Sequence, residues 1–251
     1  MIDVLLIHGA GYSKETWSAF TDALRELNNQ YRINAIDLPG HGENRTEDMS
    51  IEGFVECVSK QIKGDIGNTI VIGHSLGGSV ATFLPSAMSV ILIDISEGAA
   101  MRSIGTLESA LRMRPFSFHN LEEATKWYLS LNPHCLVPDK TVKGQLQLHP
   151  TTGEYTWRTD LLKQKDHWTS WFSGMDSRFL KCRNPVLIMS DRDYIDKELL
   201  LASMQGKFNL QVFSGCGHAI QEEEAVKLAS FIDAHIQRLV RLQNHLFTRP
   251  M

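Results

Sequence analysis

The sequence is short of the features that would commit it to a membrane, a metal or a nucleic acid. It has only four cysteines, Cys57, Cys135, Cys182 and Cys216, widely spaced and with no C-x-x-C pair. That argues against a zinc knuckle or a disulfide framework and fits a reducing compartment. No apolar run approaches the roughly 18 residues that a bilayer-crossing helix needs. The longest are short pieces such as Val4-Leu5-Leu6-Ile7 and Val90-Ile91-Leu92-Ile93. Excess positive charge is missing too: 25 Lys and Arg stand against 29 Asp and Glu, a net charge of −4, so neither nucleic acid nor an anionic membrane is expected as a partner. The first residues show no basic stretch and no small-residue cleavage site, so no signal peptide is expected and a cytoplasmic or nuclear protein is. H-E-x-x-H, Walker A and G-x-G-x-x-G patterns are absent, so no metal, nucleotide or dinucleotide cofactor is implied.

What is present is an ordinary globular composition, 43% hydrophobic and 22% charged, over 251 residues. Apolar four-residue runs at 4–7, 33–36, 69–72, 90–93, 186–189 and 210–213 alternate with helical patterns. Runs without polar alternation suit strands buried on both faces. Trp17, Phe20, Leu24 and Leu27 recur at helical spacing, as do Ile51, Phe54, Val55, Val58 and Ile62. Residues 76–84 read as a helix directly after the third strand. A last helix over 222–246 is expected to bury Val226, Ala229, Ile232, Ile236 and Leu239, with Glu222, Glu223 and Glu224 in its first turn. The pattern is α/β: an open, doubly wound, mostly parallel sheet. Residues 96–183 break the rhythm, with no clear strands and many aromatics. They read as a helical cap inserted into a core formed by 1–95 and 184–251.

The chemical signal is Gly73-His74-Ser75-Leu76-Gly77-Gly78, a G-x-S-x-G between an apolar strand and a helix. A sharp strand-to-helix turn strains the serine backbone, admits only small residues at 73 and 77, and lifts the hydroxyl above the sheet, as in an α/β hydrolase. Serine there, rather than aspartate, argues against dehalogenase or epoxide hydrolase chemistry. The hydroxyl needs a base and a place for negative charge. His8-Gly9-Ala10-Gly11 ends the first strand, so the N–H of Ala10 and that of Leu76 are the expected oxyanion donors. The base comes late in this fold, and Gly215-Cys216-Gly217-His218 follows the last strand, pointing to His218. Of the other histidines, His74 inside the turn reads as packed and His41 as marking the turn after the second strand. Two places compete for the acid, Asp94 after the fourth strand and Asp191 with Asp193 after the fifth. Order alone puts Asp193 ahead.

Beyond these motifs the chain resembles the protein phosphatase methylesterases. The likeness rests on the stretch from Leu92 through Asp94, Glu97 and Gly98 to Met101, on Arg114-Pro115-Phe116, on Tyr155-Thr156-Trp157-Arg158, on Trp168 with Trp171-Phe172, on Met204-Gln205-Gly206-Lys207-Phe208, and on Cys216-Gly217-His218-Ala219. It covers roughly 4–42, 69–131 and 154–235. Ala10 and Tyr12 depart from the family's usual Gly and His, a change that a backbone donor tolerates. The resemblance implies an esterase acting on the methylated carboxy-terminal leucine of the protein phosphatase 2A catalytic subunit. It implies Ser75 as nucleophile, His218 as base and Asp94, within D-x-x-E-G, as acid. It also implies that the phosphatase surface helps arrange the site, with Met204, Gln205, Lys207 and Phe208 as a docking element. Two other readings remain at this stage: a small-molecule carboxylesterase or lipase of the same fold, and a non-catalytic phosphatase-binding protein.

Overall fold

All six apolar runs become strands of one sheet; those at 4–7, 69–72, 90–93 and 186–189 carry buried aliphatic side chains on both faces and so have two layers to fill, while those at 33–36 and 210–213 form its edges. In the computed structural model, which describes residues 1–191 and 195–247, the chain begins β1 (Asp3–Ile7), α1 (Ser18–Leu27), β2 (Arg32–Ile36), α2 (Ile51–Ser59), β3 (Thr69–His74), α3 (Leu76–Ala81) and β4 (Ser89–Ile93). It continues through α4 (Glu97–Met113), β5 (Ser117–Phe118), α5 (Leu121–Leu131), α6 (Pro138–Gln145), β6 (Leu146–Leu148), β7 (Tyr155–Trp157), α7 (Trp168–Phe172) and α8 (Met175–Phe179). It ends with β8 (Val186–Met189), α9 (Lys197–Met204), β9 (Asn209–Val212), α10 (Ile220–Glu223) and α11 (Ala225–Phe247). The large sheet runs β2-β1-β3-β4-β8-β9 with every pair parallel. Strand order reverses between β1 and β3, and the crevice beyond the carboxyl ends at such a reversal is where open α/β sheets bind ligands.

Alternation along β1 sorts the two layers. Val4 and Leu6 pack with Trp17, Phe20 and Leu24 and with Leu228, Ile232 and Ile236 of α11. Leu5 and Ile7 face Phe54, Val80, Trp171 and Phe179. Each such side chain contributes about 1.5–3 kcal/mol by burial, so the loops at the carboxyl edge stand on a rigid base. Trp168, Trp171, Phe172, Met175 and Phe179 belong to this second layer, whereas Phe118, Tyr128, Val142 and Leu146 form a separate small cluster.

Two expectations are corrected. Residues 96–183 do contain strands: β5, β7 and β6 pair antiparallel in a sheet of their own. Strands of two and three residues are too short to show a period. The terminal helix is also broken. Its stripe is Ala225, Leu228, Ala229, Ile232, Ile236 and Leu239, while Val226 is 68% exposed. Glu222 lies in the separate short helix α10, not in the first turn of α11, and is fully buried. Among the described residues no helix is long and apolar enough to cross a membrane.

Candidate active site

β3 ends at His74 and the chain turns at once into α3. Ser75, between them, takes φ 51° and ψ −119°, a conformation that costs an L residue about 1–3 kcal/mol. The turn closes because two neighbours lack a Cβ. One on Gly73 would lie 2.1 Å from the Gly77 carbonyl oxygen, and one on Gly77 would lie 2.3 Å from that of Ile7. Leu76 opens α3, where the first backbone N–H groups have no partner within the helix.

Asp94 directly follows β4, also at positive φ, 51°. Its Oδ2 is 2.7 Å from Nδ1 of His218, and its Oδ1 accepts from the backbone N–H and the hydroxyl of Ser190, each at 2.7 Å. Burial by itself pushes the Asp94 carboxyl up. The hydrogen bonds from His218 and Ser190 outweigh it and hold the group below its usual range. With a carboxylate on Nδ1, that nitrogen carries the proton and Nε2 is left as the basic one. Asp193 lies outside the described residues. Cys216, two residues before His218, donates its thiol to the Phe213 carbonyl at 2.8 Å, and burial pushes it up to about 11, away from thiolate chemistry.

The turn after β1 is built by two buried histidines. His8 donates from Nδ1 to the Gly9 carbonyl at 2.8 Å and accepts the Leu38 N–H at Nε2, 3.0 Å. His41 donates from Nδ1 to Pro39 and accepts the Gly11 N–H at 2.9 Å. Burial lowers His8 to about 4 and His41 to about 3, so both stay neutral. Gly11 and Tyr12 thus spend their N–H groups on His41 and on the Gly9 carbonyl. Ala10, between Gly9 and Gly11, lines the same cavity as Ser75, Asp94 and His218. That cavity measures about 750 Å³, and Ile95, Ile104, Leu107, Leu161 and Phe172 give it apolar walls. Among the described residues no cluster of three metal-ligating side chains occurs.

Residues 4–231 match the alpha/beta hydrolase family. Protein phosphatase methylesterase 1 of Mus musculus is 30% identical over 305 residues, which cover 99% of this chain and 77% of the mouse protein. That of Schizosaccharomyces pombe is 31% identical, covering 91% of this chain and 72% of the relative. The chain belongs to the protein phosphatase methylesterase family. It is thereby an esterase of the α/β-hydrolase fold. The aligned stretch is longer than this chain, so the mouse methylesterase carries segments with no counterpart here. Solved structures agree on the fold: an esterase of M. tuberculosis matches with TM-score 0.72 at 18% identity over 93% of this chain and 84% of its own. E-2-(acetamidomethylene)succinate hydrolase matches with TM-score 0.74 at 14% identity, over 94% and 91%.

Within this methylesterase chain the expected docking element sits apart from the cavity. Residues 204–208 precede β9 and so lie at the amino edge of the sheet, opposite the edge that carries Ser75. Met204 is 85% exposed, and Gln205 and Lys207 are also exposed. Phe208 is a correction: it is buried and packs against Phe179, ring centroids 5.2 Å apart, so it belongs to the core and not to a surface. Sequence reasoning missed Glu222, four residues after His218. Its buried carboxylate accepts hydrogen bonds from Thr16, from Tyr128 at 2.7 Å, from Thr141 at 2.8 Å and from Cys135 at 3.1 Å. Glu222 thereby joins the His218 loop to residues 128–141. The His-x-x-x-Glu spacing was visible, but nothing in it named the partners.

Proposed function

We infer that this protein is a serine carboxylesterase that removes the methyl ester from the carboxy-terminal leucine of the protein phosphatase 2A catalytic subunit. The observation that carries the reading is the Asp94–His218 contact at 2.7 Å, on the same cavity as the strained Ser75, in a chain of the methylesterase family. Ser75 Oγ attacks the ester carbonyl while Nε2 of His218 takes its proton. Asp94 holds the imidazole through Nδ1–H and stabilises its charged form. The N–H groups of Ala10 and Leu76 receive the oxyanion. His218 then protonates the departing methoxide, methanol leaves, and water delivered by the same base releases the free carboxylate. The leucine side chain fills part of the apolar cavity. Residues 96–183 act as a cap, and Met204, Gln205 and Lys207 form a second contact with the phosphatase, remote from the tail.

A second reading, hydrolysis of small apolar esters, is favoured by the cavity itself, since about 750 Å³ is enough to hold a drug-sized ligand. The deciding experiment measures methyl release from carboxymethylated phosphatase, wild type beside Ser75→Ala, with both proteins shown to be folded. Release by the wild type and a loss of about 10⁴-fold or more in the variant is expected. Rapid cleavage of simple esters with no methyl release would leave the small-ester reading in its place.

A further inference from the structure

His74 is the variable residue of the G-x-S-x-G turn, and the mechanism above gives it no task. It ends β3, is fully buried and adjoins Ser75. Its Nε2 lies 2.9 Å from the backbone oxygen of His218. A carbonyl only accepts, so the proton sits on Nε2 and Nδ1 carries a bare lone pair. That Nδ1 has no hydrogen-bond partner among the described residues. Gly9 closes it in, since a Cβ there would come within 2.9 Å of it. Burial holds the ring well below its usual pKa and therefore neutral, and a charge on His218 pushes the same way. A leucine would fill this volume without burying an unpaired nitrogen. What the imidazole adds is the bond to His218.

That bond lands on a loop with two glycines. The loop over 213–218 contains Gly215, at φ 89°, and Gly217, and the His218 side chain is 48% exposed. Asp94 fixes the ring through Nδ1, with its neighbour Ile93 accepting the Ser75 N–H at 3.0 Å, and Glu223 accepts the Gly217 N–H, but neither holds the backbone of His218. His74 does. Its ring also packs on that of His218 with centroids 4.6 Å apart, while Tyr12 meets it edge-on at 5.4 Å.

We propose that His74 is a positioning residue: its Nε2–H ties the backbone of His218 to the residue adjoining Ser75, so one turn sets both ends of the proton transfer. This rests on Ser75 and His218 being nucleophile and base. A misplacement of about 1 Å between reacting groups costs on the order of 10²-fold in rate.

Three variants separate the hydrogen bond from the volume. His74→Leu fills the space, His74→Asn carries an amide too short to reach, and His74→Gln puts an amide N–H near the Nε2 position. Hydrolysis of p-nitrophenyl acetate and the rate of fluorophosphonate labelling are followed for each, beside wild type and Ser75→Ala, with folding checked by melting temperature. His74→Leu and His74→Asn are expected to lower kcat about 10- to 100-fold with KM within about twofold, and to label correspondingly slowly. His74→Gln is expected to recover most of kcat. A folded His74→Leu with wild-type kcat overturns the proposal, and so does a His74→Gln as slow as His74→Leu. If His74→Leu does not fold, the contrast between Asn and Gln decides. If Ser75→Ala still hydrolyses the ester at the wild-type rate, the nucleophile assignment is what fails; if it is dead while the His74 variants are normal, only the positioning role does.

Discussion

Glu222 shows how much a single buried residue can organise. Burial raises its carboxyl above the usual 4.5, and the hydrogen bonds from Thr16, Tyr128, Cys135 and Thr141 only partly offset that. The folded state therefore keeps this proton to higher pH than the unfolded chain does. The resulting stabilisation is complete below about pH 4.5 and fades as pH rises through the folded value. Glu222→Gln removes the titration while keeping the shape. Melting temperatures from pH 4.5 to 8 should show the wild type losing ground to Glu222→Gln as pH rises, and a constant gap would mean that the carboxyl titrates normally. Ser75 and His218 could be singled out as candidates because local chemistry marks them: a strand-turn-helix with glycines, and a histidine after two glycines before the last helix; both line one cavity. The partners of His74 and Glu222 could not be, because they lie 144 residues away for His74 and 81 to 206 residues away for Glu222. Fixed spacing in sequence carries no signal for such contacts.

At the level of elements, the D-x-x-E-G stretch acquires a physical meaning. Glu97 accepts the N–H groups of Gly174 and Asp176 at the start of α8, and Asp176 in return accepts the N–H of Glu97 at the start of α4. Asp196 accepts the N–H of Gly98, where a Cβ would lie 2.2 Å from its Oδ1. Two helices thus cap each other three residues after Asp94, fixing the direction in which the chain leaves β4. Glu97→Ala leaves two backbone donors without their acceptor, a loss of about 1–2 kcal/mol. For a chain of this size that lowers the melting temperature by roughly 2–8 °C, and an unchanged melt would show that water replaces the cap at no cost. The four inner strands were readable because burial on both faces leaves no polar alternation. The β5-β7-β6 sheet was not, being assembled from strands of two and three residues spread over some forty residues. Val226 was misassigned for a simpler reason. It stands one residue, about 100°, beyond Ala225, which is the residue that continues the stripe of Ala229, Ile232, Ile236 and Leu239.

On the scale of the whole molecule, the sheet brings four separate chain segments to one edge. β1 supplies the Ala10 turn, β3 supplies Ser75, β4 supplies Asp94, and the loop after β9 supplies His218. The order reversal between β1 and β3 opens the crevice into which they converge. The resemblance implied that a phosphatase surface helps to arrange this site, yet the Asp94–His218 pair and its Ser190 support are complete within the single chain. The free protein is therefore expected to react with a fluorophosphonate at Ser75 and to cleave short p-nitrophenyl esters with no phosphatase present. Asp94→Asn should lower that turnover by about 10⁴-fold, because the amide no longer holds the imidazole in the tautomer that leaves Nε2 basic. Its melt needs checking beside it: the Asp94 carboxyl is depressed when folded, so its stabilisation is present above the usual 3.8, fades as pH falls through the folded value, and is lost in the variant. Labelling that begins only when the phosphatase catalytic subunit is added would mean that the partner supplies what this geometry lacks. Labelling of the free chain at the same rate with and without it would confine the partner's part to delivering the tail.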